Sequence, residues 1–181
     1  MSDVAIGWSE AVGEREQRVE MVRAAWRSAY AHIFSRAEID GIFDGTLEGQ
    51  GSWVGARAAP AGTLAARRGG RIIGLAGLGL LRSGDGELAA FYVLPEEQGR
   101  GVGSALWERS LAELRLRNCA RMEVWTLVRA SVRRFYESRG CLAFGEGSFV
   151  VAGHREPAVG YALDISAAPR ALSPSTPTPT R

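Results

Sequence analysis

The chain has 181 residues, 46% of them hydrophobic and 23% charged, which suits one globular domain with a sizeable core. No apolar run approaches the ~20 residues that span a bilayer, and the amino terminus MSDVAIGWSE lacks the basic-then-apolar pattern of a signal peptide. The net charge of +2 is too small to imply nucleic acid, and the absence of lysine excludes any mechanism built on a phosphate-binding or Schiff-base lysine.

Val4 to Trp8 reads as a short strand. From Arg15 to Phe34 the spacing of Val19, Val22, Trp26, Ala29 and Ile33 predicts an amphipathic helix. A short helix over 36–43 follows, then a turn-rich connection marked by glycines 41, 45, 49 and 51. Thr63–Arg68 and Arg71–Arg82 flank Gly69-Gly70, a strong hairpin signal because a tight turn needs positive φ. Ser83-Gly84-Asp85-Gly86 is a second turn. A strand over 87–94 then stops at Pro95, which cannot donate to a ladder. The remaining expectations are a helix over 101–118, a strand over 121–127, a helix over 130–139 capped by Gly140, and strands over 142–151 and 158–165. The order predicts an α+β fold whose mixed, mostly antiparallel sheet of about 6–7 strands is flanked by about four helices. One domain is expected over 1–166, and the Pro/Ser/Thr-rich segment 167–181 is expected to be disordered. Cys119 and Cys141 read as buried thiols of a cytoplasmic protein.

The chemistry concentrates where the strand ending at Leu94 leads through glycines 99, 101 and 103 into a helix. The first N–H groups of a helix have no internal partner, and its dipole favours an anion there. Glycines let main chain approach a phosphate closely. Gln98, Gly99, Arg100, Gly101, Val102, Gly103 and Ser104 therefore form a candidate diphosphate cradle. A Walker A loop needs lysine, and the Rossmann fingerprint needs a third glycine where Leu106 stands. The pattern Gln/Arg-x-x-Gly-x-Gly/Ala is satisfied by residues 98–103.

Glu-Leu-x-x-Phe-Tyr-Val-x-Pro-x-x-Gln-Gly-x-Gly-Val-Gly at 87–103, Arg-Arg-Phe-Tyr-Glu-Ser-Arg-Gly-Cys at 133–141 and Trp-Arg-Ser-Ala-Tyr at 26–30 together resemble the GNAT superfamily of N-acetyltransferases, across roughly residues 4–165. The resemblance implies acetyl-CoA as cosubstrate, no metal, and a small-molecule primary amine as acceptor, with no nucleic-acid or membrane partner and a homodimer left open. Acetylation of a protein amino terminus and a non-catalytic CoA sensor are the alternatives. The resemblance makes Glu87 the candidate general base, acting through water, and Tyr136 the candidate acid for the departing thiolate. In a regular strand Phe91 and Val93 share parity with Glu87, and their main chain would meet pantetheine; the resemblance implies a splayed, bulged strand here. At Arg129 the family often carries asparagine; the arginine either approaches a CoA phosphate or faces solvent. Cys141 replaces an aromatic residue. The helices that the resemblance places over the acceptor hold Glu38, Asp40, Asp44 and Glu48, which read as a solvated helix face ahead of an acidic lining for a cationic amine. His154 falls between the last strands, near the expected acceptor; no His/Cys pair has metal-ligand spacing.

Overall fold

The computed structural model describes residues 3–9, 12–46 and 58–166. Glu48, the glycines at 49 and 51, and the segment 167–181 lie outside the described residues. Strands β1 (Ala5–Trp8), β2 (Ala58–Arg68), β3 (Arg71–Leu81), β4 (Gly86–Val93), β5 (Arg121–Leu127), β6 (Leu142–Val151) and β7 (His154–Asp164) form one sheet in the order β1-β2-β3-β4-β5-β7-β6. Helices α1 (Arg15–Ala29), α2 (Arg36–Phe43), α3 (Val102–Leu116) and α4 (Arg133–Ser138) flank it. Every neighbouring pair is antiparallel except β4 and β5.

Local chemistry explains most boundaries. Gly69 and Gly70 have φ of +57° and +82°, and Arg68 pairs with Arg71 across them, so the expected tight hairpin joins β2 to β3. The first helix ends at Ala29 rather than Phe34. The Tyr30 N–H closes on the Trp26 carbonyl, and Ser35 then opens α2 with a capping box, its side chain and that of Glu38 bonding each other's backbone N–H. The last strand starts at His154, four residues before the expected start. Ala152 takes a left-handed φ of +51° in the β6–β7 turn, and Pro157 sits inside β7 opposite Ser148, its carbonyl accepting the Val128 N–H at 2.9 Å. The helix expected over 130–139 is regular only over Arg133–Ser138.

Leu106, Trp107, Leu111 and Leu114 of α3 pack on the sheet with Leu64, Ile73, Leu88 and Met122. On the opposite face, Trp26, Tyr30 and Phe34 pack with Ile39, Ile42 and Leu127. Burial at this scale, about 25 cal/mol per Å² of apolar area, is what holds the layers together.

Candidate active site

The parallel pairing of β4 with β5 consists of two registers, Gly86–Met122 and Glu87–Glu123. Beyond them the strands splay, and a cleft of about 750 Å³ opens in the wedge. Leu88 to Val93 line one side of the wedge and Val124 to Thr126 the other. At one end the cleft meets the start of α3, and at the other it meets Ala25, Ser28 and Tyr30 around the end of α1.

A β-bulge at Ala89 sets the wall of β4. Gly77 pairs with Ala90 while Leu78 pairs with Leu88, so Ala89 is the extra residue. Leu88, Phe91 and Val93 face α3; the Phe91 and Trp107 rings lie 6.2 Å apart. Glu87, Ala90 and Tyr92 face the α1 side, where Tyr92 lies 6.5 Å from Trp26. The expected shared parity of Glu87, Phe91 and Val93 is therefore corrected: one inserted residue turns Glu87 to the opposite face. Glu87 is buried at the vertex of the wedge and does not line the cleft.

The cradle loop is tied to the strand it follows, since Gln98 Nε2 donates to the Val93 carbonyl at 3.2 Å. Gly101 caps α3 at φ +82°, and a side chain there would strain the turn. The first intrahelical bond is Ala105 N–H to Gly101 O, which leaves the N–H groups of Val102, Gly103 and Ser104 pointing off the helix end. Gln98, Gly99, Gly101, Gly103 and Ser104 line the cleft, whereas Arg100 is exposed outside it and Val102 has its side chain in the core. The cation at this end is Arg139, which sequence reasoning passed over although it stands beside the capping Gly140. Its Nη2 donates to Ser104 Oγ at 2.5 Å, and its guanidinium lies 4.9 Å over the Phe135 ring. Among the described residues it is the one charged side chain lining the cleft. A diphosphate fits this end: open space at Gly99 and Gly101, three aimed N–H groups and one arginine.

Tyr136 also lines the cleft, packed beside Trp107 and Tyr161. Burial, then the nearby Tyr92 and Cys141, push its phenol far above the ordinary value, so it carries its proton throughout the physiological range. Burial likewise raises Tyr30, and it pushes the Cys141 thiol up to about 11. Arg129 lies away from the cleft: it bonds Glu156 at 2.8 Å, correcting the expected phosphate contact. The α2 carboxylates are engaged elsewhere. Asp40 accepts from Arg27 and Asp44 from Arg23 at 2.7 Å. Glu38 is held below the usual carboxylate range by Ser35 and then by His154, whose Nε2 lies 2.8 Å away. Of the described acidic residues expected near the acceptor, none lines the cleft.

A split sheet with a glycine-capped helix at its mouth is the framework of a transferase for a diphosphate-bearing donor. The model of the Acetyltransferase (GNAT) family matches residues 17–141, and the chain belongs to that family. The uncharacterized N-acetyltransferase YuaI of Bacillus subtilis (strain 168) is 34% identical over 103 residues, 54% of this chain, which spans 60% of that relative. The Escherichia coli ribosomal-protein-S18-alanine N-acetyltransferase is similar in fold, with a TM-score of 0.60 and 21% identity over 94% of this chain and 99% of that one. PaiA N-acetyltransferase of Thermoplasma acidophilum, solved in complex with coenzyme A, gives a TM-score of 0.63 and 16% identity over 87% of this chain and 98% of that one.

Proposed function

We propose that the protein transfers the acetyl group of acetyl-CoA to a primary amine of a small molecule, with both substrates in one cleft. The continuity of that cleft carries the reading: it runs from the amides of α3, along the splayed edge of β4, to the end of α1. The α3 amides and Arg139 hold the diphosphate, and the main chain of Phe91 and Val93 meets the pantetheine arm. PaiA, with coenzyme A bound, supports such a donor on this fold.

The acceptor nitrogen needs a free lone pair, and an alkyl amine with a pKa near ~10.4 is mostly protonated at neutral pH. Its proton passes through water to Glu87, which is buried at the vertex of the wedge and turned by the bulge to the α1 side. The nitrogen bonds the thioester carbonyl carbon, the carbon–sulfur bond breaks, and the electron pair leaves on sulfur. Tyr136 gives its proton to that thiolate. Arg129 has no part in this scheme.

Release of free thiol from acetyl-CoA, measured across amines, aminoglycosides, amino acids and short peptides, is the test. Turnover on small amines is expected. Turnover on free peptide amino termini alone would move the reading to a protein acceptor. Tight acetyl-CoA binding with no acceptor consumed would leave a sensor.

A further inference from the structure

Tyr136 belongs to α4, whose six residues make less than two turns, so the place of its ring follows from whatever holds that helix. Among the described residues no side chain bonds the Tyr136 hydroxyl, and the ring is set by packing on Trp107, Phe135 and Tyr161.

The helix is fastened on two sides. After its last turn, Arg139 Nη2 donates to Ser104 Oγ of α3. On the other side α4 is joined to β7 through one hydroxyl. Tyr161 stands on β7 in register with Val124 of β5, which lines the cleft. Its ring is buried, with its centroid 6.1 Å from that of Tyr136. Its hydroxyl accepts from Arg133 Nε at 3.0 Å and donates to Glu137 Oε1 at 2.6 Å. Arg133 and Glu137 lie about one helical turn apart and bracket Tyr136 along α4. Arg133 also donates through Nη1 to the Val128 carbonyl at 2.8 Å. Burial, and then the bond to Glu137, raise the Tyr161 phenol, so at neutral pH it keeps the proton it donates. Loss of this hydroxyl breaks two charge-assisted bonds at once and leaves Arg133 and Glu137 a partly exposed contact at 3.8 Å, too weak to replace them. Resting on the reading of Tyr136 as the acid, we propose that Tyr161 is a positioning residue: its hydroxyl, clamped between Arg133 and Glu137, fixes α4 on β7 and so sets where the Tyr136 proton meets the thiolate.

The full chain is assayed by thiol release on the best amine found. Tyr161→Phe keeps the ring and removes the hydroxyl. Its kcat should fall about tenfold with the KM for acetyl-CoA within twofold, because a small misplacement of a reacting group slows the chemical step. Glu137→Ala should behave alike, whereas Glu137→Gln, which can still accept the bond, should keep most of the wild-type kcat. The double variant separates positioning from general loosening. If Tyr161 acts through Tyr136, Tyr136→Phe/Tyr161→Phe should be no slower than Tyr136→Phe. Wild-type kcat in Tyr161→Phe, or a loss that multiplies with that of Tyr136→Phe, overturns the inference while leaving acetyl transfer standing. Wild-type kcat in Tyr136→Phe removes the acid, and the inference with it. If no amine turns over, fluorine NMR of the chain carrying 3-fluorotyrosine at its four tyrosines decides. The Tyr136 resonance, identified by its loss in Tyr136→Phe, should broaden or split in Tyr161→Phe. A single line as sharp as in the wild type overturns the inference.

Discussion

On the α3 side of the cleft the working groups are mostly main chain: three amides at a helix start, held by a glycine in a left-handed turn. On the α1 side the lining comes from α1, β4 and β5, and the bulge at Ala89 decides which β4 residues face it. Main-chain recognition tolerates changes in neighbouring side chains but not an obstruction of the amides. Side-chain recognition is tuned residue by residue. Under the proposed reading, evolution of a new acceptor therefore has a free hand on the α1 side of the cleft and little on the α3 side.

The sharpest way to break this contrast is Gly103→Glu. Position 103 has ordinary φ, and a Cβ there meets Val93 at 3.8 Å, so the fold should stand. The carboxylate would occupy the anion's place and repel it. Acetyl-CoA affinity should fall about 100-fold or more in calorimetry, matching the loss of several charge-assisted bonds of about 1.5–3 kcal/mol each. A folded variant with unchanged affinity would remove the cradle.

Tyr136→Phe tests the middle of the cleft. Turnover should fall ~100-fold with acetyl-CoA affinity nearly constant, the signature of a proton donor. Glu87→Gln should slow turnover less, with partial recovery at high pH as more acceptor is already neutral. Wild-type rates in both variants would route the proton through other groups.

Arg139→Gln sharpens the contrast by showing how far one side chain contributes to the main-chain side. A roughly tenfold loss of acetyl-CoA affinity is expected, with a flatter dependence on salt, because one cationic partner of the phosphates is gone.

The smallest effect is expected at the α2 cap. Ser35→Ala should cost about 1 kcal/mol of stability, read as a lower Tm. The same region sets a pH limit. The Glu38 carboxyl lies below its ordinary value in the folded chain, so its contribution is fully present above that ordinary value and disappears as pH falls through the lowered one. In Ser35→Ala the Glu38 carboxyl moves back toward its ordinary value, so the fall of Tm as pH drops below that value should be shallower than in the wild type.

The sequence revealed the two sides unequally. The loop and helix start of the proposed cradle were legible because their parts are contiguous: residues 98–104 form one loop and one helix start, and their chemistry is that of the backbone. The hairpin at Gly69-Gly70 and the succession of strands and helices along the chain were legible for the same local reason. The opposite wall of the cleft was not, because Tyr30, Tyr92 and Trp125 lie on three elements far apart in sequence. The resemblance implies a bulge in this strand, but nothing in Ala89-Ala90 marks its position, and the parity of a regular strand sets Glu87 on the wrong face. Pro157 hid the start of β7, since a proline reads as a break unless its carbonyl side is known to be the side in use. Arg139 lies within the Arg-Arg-Phe-Tyr-Glu-Ser-Arg-Gly-Cys motif, but nothing local says that a residue after a helix reaches the start of another.

Two registers join β4 to β5, and beyond them the facing backbone edges of both strands have no ladder between them. The sheet therefore contains a seam, where local opening needs no loss of strand pairing. Amide exchange should be faster for the wedge-facing groups of Leu88–Val93 than for the equally central β3, and acetyl-CoA should slow it selectively. A ligand that bridges such a seam acts as a fastener between the β1–β4 and β5–β7 halves, so the melting temperature should climb with its concentration.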